Sequence, residues 1–281
     1  MTLDTEREGR LDALLAQAGS LVVAYSGGVD SALLAVRAHR VLGARALAVT
    51  ADSPSLPRSQ KALAVEVASR FGLAHRVIDT HEVQDPAYAR NDALRCYHCK
   101  TELFGRLRAL AQAEGYAHLA YGLVTDDLSD FRPGHRAAVE HGVLGPLAEA
   151  GFDKAAVRAL SRQMGLPTAD LPASPCLSSR VPYGTEVTPE VLLRVERAEE
   201  AVRALGFREL RVRHLGAAAR VEIAPAEMER LDEALRARIV EGVRAAGYGQ
   251  VAIDPSGYRR GRLNEALRVL PAAVLARLDP A

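Results

Sequence analysis

The stretch Val22-Val23-Ala24-Tyr25-Ser26-Gly27-Gly28-Val29-Asp30-Ser31-Ala32 decides the fold. Its first four residues read as a short buried strand, and Ala32 opens an apolar helical pattern that runs to Leu42. Between them, two adjacent glycines let the backbone turn sharply and bring its N–H groups against an anion. The start of the helix adds unpaired donors and a partial positive charge. Ser26 and Ser31 supply hydroxyls, while Asp30 either caps the helix or helps to hold a magnesium ion beside phosphates. No lysine follows the glycines, so this is not a P-loop. The third glycine of the dinucleotide fingerprint is also missing.

Outward from the loop, short β-rich runs alternate with longer amphipathic ones: Leu21 to Tyr25, Ala32 to Leu42, Arg45 to Ala51, Ser59 to Phe71, and His75 to Asp79. This alternation predicts an α/β fold with a parallel sheet. A further helix over Lys100 to Ala113 leads to a fourth strand, His118 to Tyr121, ending at Gly122. Ligands of such sheets gather at the carboxyl ends of the strands. Ala51-Asp52-Ser53-Pro54 leaves the second strand there, with backbone groups suited to adenine. Gly122 to Asp127 leaves the fourth, with Asp126 and Asp127 able to carry magnesium.

Prolines and serines crowd the segment from Leu166 to Thr188, so regular structure is expected to lapse there. The expected division is therefore a first domain over 1–170, a linker over 171–187 that carries Cys176, and a smaller α+β domain over 188–281. In the last, Pro189 to Leu205 and Pro225 to Ala246 read as helices, and Leu210 to His214, Arg220 to Ile223 and Gln250 to Ile253 as strands.

Lys and Arg number 36 against 35 Asp and Glu, a balance that gives no support for a nucleic-acid or anionic-lipid coat. Neither a secretory signal nor a membrane span is visible, so the expected location is the cytoplasm. Only three cysteines occur, which argues for reduced thiols over a disulfide scaffold.

Cys96-Tyr97-His98-Cys99 forms a CxxC pair, and Cys176 follows in Ala173-Ser174-Pro175-Cys176-Leu177-Ser178-Ser179-Arg180. Four readings stand open. A zinc site would need His98 or a distant histidine as fourth ligand. An iron–sulfur cluster on three thiolates would leave one iron open for substrate, sulfide or water. A thioredoxin-like dithiol lacks the flanking residues of that fold, and three ordinary buried thiols would carry no chemistry.

Ser26 to Ser31 resembles the SGGxDS signature of the PP-loop ATP pyrophosphatases, which split ATP between its α and β phosphates and transfer AMP to an oxygen of the substrate. Further segments resemble the LarE family of ATP-dependent sulfur transferases: Arg95 to Lys100, Asp126 to Gly134, Gly145-Pro146-Leu147, Pro172 to Gly184, Leu210 to Leu215, and Asp254 to Glu265. The resemblance implies that a carboxylate of a pyridinium mononucleotide is adenylated and that sulfur then displaces AMP, a step toward a nickel-pincer nucleotide. Members with one cysteine at the position of Cys176 give up its own sulfur. Cys96, Cys99 and Cys176 together resemble the members that carry a [4Fe-4S] cluster. The expected cofactors are thus ATP, magnesium and that cluster. The expected partners are a second copy of the chain and proteins of cluster assembly and nickel insertion, without nucleic acid or membrane.

The expected catalytic residues are Cys176, Asp30 and Arg180, and the expected nucleotide-binding residues are Ser26, Gly27, Gly28, Val29, Asp30, Ser31, Ser53, Gly122, Asp126 and Asp127. Arg180, Arg211 and Arg213 offer planar forks of donors for the substrate's phosphate and carboxylates, and Glu199 or Glu200, on the preceding helix, is placed to orient them. Arg211 and Arg213 alternate on a strand and so point to one face. The chain departs from many PP-loop enzymes at Gly122-Leu123-Val124, where they have Gly-Thr-Asn. A tRNA thiolation enzyme is the alternative function, and it would need a basic surface that the charge balance does not supply.

Overall fold

The computed structural model describes residues 3–128 and 133–259. Parts of two segments named above, 129–132 and 260–265, lie outside the described residues. The elements in chain order are α1 (Leu3–Ala18), β1 (Leu21–Ala24), α2 (Val29–Leu42), β2 (Ala46–Asp52), α3 (Arg58–Arg70), β3 (Ala74–Asp79), α4 (Pro86–Ala89) and α5 (Arg95–Glu114). They continue with β4 (His118–Tyr121), α6 (Pro133–Glu140), α7 (Pro146–Glu149), α8 (Lys154–Gln163) and α9 (Pro189–Arg203). The last elements among the described residues are β5 (Leu210–Leu215), β6 (Ala218–Ile223), α10 (Pro225–Met228), α11 (Glu233–Ala245) and β7 (Gln250–Ile253). No helix among the described residues is long and apolar enough to cross a membrane.

The chain forms two compact units, one of Met1–Glu82 with Cys96–Ser174, the other of Val83–Arg95 with Pro175–Ala281. The first holds a four-stranded parallel sheet in the order β3-β2-β1-β4. The central strands β1 and β2 are buried on both faces, as a parallel sheet covered by crossover helices requires, whereas the edge strand β3 is half-buried to exposed along its length. Leu21, Val23 and Tyr25 enter one core with Leu33, Val36, Val157 and Leu160 of α2 and α8. Val22 points the other way, into a second core with Phe104 and Leu107 of α5. That split follows from the two-residue period of a strand.

The second unit holds a mixed three-stranded sheet, β5 antiparallel to β6 and β6 parallel to β7, packed on α9 and α11. Gly216, at φ +69°, and Ala217 form the two-residue turn of the β5–β6 hairpin. The register this sets places Arg211 opposite Glu222.

Two local expectations change. The helix expected from Lys100 begins at Arg95, so the CxxC pair lies on its first turn instead of in the loop before it. The helix expected over Pro225 to Ala246 is broken into α10 and α11, because Asp232 accepts from the Leu235 N–H and starts a new helix there.

Candidate functional site

In the first unit the glycine loop is braced from within. Gly27 sits at φ +74°, and a Cβ there would come within 2.8 Å of the Ala64 Cβ. Glycine is therefore required twice, by backbone angle and by space. Ser31 Oγ donates to the Gly28 carbonyl at 3.1 Å and accepts from the Ser26 N–H at 3.2 Å. Its oxygen also lies 3.2 Å from Ser26 Oγ, and Gln60 Nε2 donates to the Ser26 carbonyl at 3.2 Å. At the end of β4, a Cβ on Gly122 would stand 2.8 Å from the Ser31 nitrogen, so this strand end packs directly on the loop.

Asp30 is not the cap of α2. That position belongs to Gly28, which makes no side-chain cap hydrogen bond, and Val29 follows as the first helical residue. The Asp30 carboxylate instead takes an ion pair from Lys154 through Oδ2. Its other oxygen, Oδ1, is buried without a hydrogen-bond partner. An anionic oxygen in that situation fits a cation such as magnesium.

Lys154 is the residue that the sequence reading missed. It is the first residue of α8, and its backbone N–H donates to Asp126 Oδ2 at 2.6 Å. The available signal was a lysine at a helix N-terminus, where the dipole disfavours a cation. The two acids after β4 have different surroundings: Asp126 is exposed beside α8, whereas Asp127 is buried and accepts from the Val124 N–H at 3.4 Å. Ser53 is buried, with its hydroxyl 2.8 Å from Ser55 Oγ, and the Ser55 hydroxyl donates on to Glu82 at 2.7 Å. The Ser53 carbonyl accepts from Arg58 at 2.6 Å.

Cys96 is exposed and Cys99 half-buried on the first turn of α5. A spacing of three residues puts both thiols on one side of that helix. Cys176 is half-buried in the second unit, where its carbonyl accepts from the Ser179 N–H at 3.0 Å and from Arg180 Nη1 at 3.1 Å. Among the described residues, no group of three or more His, Cys, Asp or Glu is arranged to hold a metal ion.

The second unit concentrates charge in its interior. Arg180 has no exposed side-chain surface, and it pairs with the equally buried Glu199. Glu199 also accepts from Arg203 at 2.7 Å and from the Val212 N–H at 3.1 Å. Burial alone would raise the carboxyl pKa of Glu199, but the guanidiniums of Arg180, Arg203 and Arg211 outweigh it and bring it down to about 2. Arg213 donates to Glu222 at 2.8 Å and to the Ser179 carbonyl at 2.9 Å. Arg211 lies under the Tyr258 ring at 4.9 Å. Burial first, and then the like charge of Arg180, depress the Arg211 pKa to about 10.

Arg180, Arg203, Arg211, Arg213 and Arg220 thus meet Glu199, Glu222 and Asp254. An excess of guanidiniums over carboxylates at a buried position favours a bound anion. Glu222 was also missed, although it is reachable once the hairpin turn at Gly216 fixes the register.

Residues 12–177 match the NAD synthase family model. The chain is 43% identical over 264 residues to an uncharacterized protein of Synechocystis sp., covering 92% of this chain and 98% of that one. It is 33% identical over 278 residues to the pyridinium-3,5-bisthiocarboxylic acid mononucleotide synthase of Lactiplantibacillus plantarum, covering 98% and 99%. One component of the glutamine-hydrolyzing GMP synthase of Archaeoglobus fulgidus is 27% identical over 212 residues, covering 66% and 64%.

Proposed function

Because the chain belongs to the LarE family of PP-loop ATP pyrophosphatases, we propose that it adenylates a carboxylate of pyridinium-3,5-biscarboxylic acid mononucleotide and replaces a carboxylate oxygen with sulfur. ATP-using sulfur transfer is the activity of that family. A likeness along 98% of the chain to a synthase of the bisthiocarboxylic product carries the choice of substrate. Likeness to the Archaeoglobus GMP synthase component extends over only 66% of it.

A carboxylate resists attack because its leaving group would be oxide, so the reaction first makes a better one. The carboxylate oxygen forms a bond to the α-phosphorus of ATP. The bond from that phosphorus to the bridging oxygen breaks, and its electron pair leaves on pyrophosphate. A sulfur nucleophile then adds to the acyl carbon, and AMP departs to leave a thiocarboxylate. The N–H groups of the Ser26–Ser31 loop hold the phosphates, and Asp30 offers Oδ1 to magnesium. Magnesium, when bound, neutralises phosphate charge. Arg211 and Arg213 receive the substrate's phosphate and carboxylates, with Glu222 fixing the guanidinium plane of Arg213; Arg180, paired with Glu199 and without exposed side-chain surface, holds the Cys176 carbonyl in place instead.

Sulfur delivery is assigned to a [4Fe-4S] cluster on Cys96, Cys99 and Cys176, whose thiols are the donor type such a cluster uses. The product would serve nickel-pincer nucleotide biosynthesis, with the chain acting as a homo-oligomer.

Anaerobic purification with iron and labile-sulfide assays, followed by ATP and the pyridinium dicarboxylate nucleotide, tests this. The expected result is AMP, pyrophosphate and a product carrying sulfur in place of oxygen. Absence of pyrophosphate release with this substrate would remove it from consideration. A protein mass reduced by about 34 daltons, the loss of H₂S from Cys176, would replace the cluster with sacrificial cysteine chemistry.

A further inference from the structure

We infer that Arg95 is a positioning residue for Cys176: its buried guanidinium fixes the turn that the cysteine opens. The inference rests on reading Cys176 as part of the sulfur-delivering site. Arg95 acts on that site through the backbone and takes no part in the bond changes.

Cys176 stands between an exposed stretch, 171–175, and the single tight turn Leu177–Arg180. The turn has local bonds, from the Ser179 N–H to the Cys176 carbonyl at 3.0 Å and from the Val181 N–H to the Ser178 carbonyl at 3.1 Å. One turn of helix does not stabilise itself, and two arginines complete this one. Arg180 donates to the carbonyls of Pro175 at 2.7 Å and Cys176 at 3.1 Å. From the opposite direction along the chain, Arg95 Nη1 donates to the Ser178 carbonyl at 2.9 Å and to Asn91 Oδ1. Arg95 is 3% exposed and Ser178 has no exposed surface, so water cannot replace the donor if it is lost. The guanidinium also lies over the Tyr183 ring at 5.6 Å, and the hydroxyls of Ser178 and Tyr88 are bonded to each other.

Other bonds from the same segment reach the chain beyond the turn. The Ala89 carbonyl accepts from the Val187 N–H at 2.9 Å and the Asn91 carbonyl from the Gly184 N–H at 3.0 Å. Arg95 reaches into the turn itself, two residues from Cys176. It is also the first residue of α5, and Cys96 is the next. Consecutive Cα atoms stand about 3.8 Å apart, so the residue that fixes the Cys176 turn is the direct neighbour of the CxxC pair. Sulfur delivery should therefore depend on Arg95, and adenylation should not.

The test follows alkylation of Cys176 by iodoacetamide in the full chain, stripped of metal with a chelator, by peptide mass spectrometry. Far-UV circular dichroism verifies that each variant is folded. Arg95→Met should speed Cys176 labelling by about tenfold or more, the loss of one charge-assisted hydrogen bond. The rise should be independent of urea below the unfolding transition, as local opening is. Arg95→Lys keeps the charge and should give a smaller, urea-independent rise, and it carries the test alone if the methionine variant does not fold. A rise that grows with urea, with Cys99 accelerating in step, would mark global destabilisation and overturn the inference, as would unchanged labelling. In cluster-loaded protein with ATP and the pyridinium dicarboxylate nucleotide, the variants should lower sulfur transfer while ATP–pyrophosphate exchange stays within about twofold, the spread of an unaffected step. Equal loss of both activities would overturn the positioning role. A wild-type chain with neither activity would overturn the functional reading alone, and the labelling rates would still decide the role of Arg95.

Discussion

Arg180 and Glu199 share a two-point ion pair with no exposed surface on either side chain: Nε lies 2.8 Å from Oε1 and Nη2 lies 3.0 Å from Oε2. Such a pair costs desolvation to bury, and removing one partner leaves the other charge stranded. Glu199→Ala should therefore destabilise the second unit by about 3–5 kcal/mol in urea unfolding. The same pair sets an acid limit. The Glu199 pKa is about 2 when folded, against an ordinary 4.5 when unfolded, so the unfolded state binds the proton first. Its contribution, about 3 kcal/mol, is present above pH 4.5 and should be lost as pH falls from there toward 2. In Glu199→Gln that part of the acid transition should disappear.

Arg211 presents the opposite case, a guanidinium whose charge folding disfavours. Arg211→Met should leave the melting temperature unchanged or raised while weakening substrate-phosphate binding about tenfold or more. Thermal scans with and without inorganic phosphate check this: phosphate should stabilise the wild type and do so less in the variant.

Gly27 and Gly122 test the loop by shape alone. An added methyl at either would meet its neighbour at 2.8 Å, and at Gly27 the backbone angle is also unfavourable for a side chain. Both alanine variants should lose ATP affinity by about tenfold or more, whereas Gly43→Ala, where no atom stands within 4 Å, should only cost the strain of its positive φ. Nucleotide titration separates the effects.

Asn91 is buried at φ +55° and donates through Nδ2 to the carbonyls of Pro182 at 2.7 Å and Thr185 at 2.8 Å. Its Oδ1 accepts from Arg95. Asn91→Asp keeps the shape and removes the donors, so it should destabilise by about 2–3 kcal/mol and expose 181–185 to limited proteolysis. Protection equal to the wild type would show that these bonds do not hold that segment.

Cys176→Ser should abolish sulfur transfer but retain ATP–pyrophosphate exchange, because adenylation precedes sulfur attack. Cys96→Ser with Cys99→Ser should abolish anaerobic iron binding and leave the exchange intact. Isotope exchange and iron assays on the same preparations read both.

Much of the first unit was legible in the chain itself. Strand, glycine turn and helix at Val22 to Leu42 follow from local periodicity and backbone freedom, which neighbouring residues suffice to specify. The glycine loop and the four parallel strands are of that kind, as is the arginine alternation on β5 in the second unit. What only the tertiary structure decided are relations across long separations. Asp30 meets Lys154 because α2 and α8 share one core. Arg180 meets Glu199, and Arg213 meets Glu222, because a turn, a helix and a hairpin converge. The excursion of Val83–Arg95 into the second unit is held by Asn91 and Tyr88 through bonds to 178–185. Periodicity reports which face of an element is buried, but not which partner it meets. Packing makes that choice, and it fixed the counter-ions that the sequence left without partners.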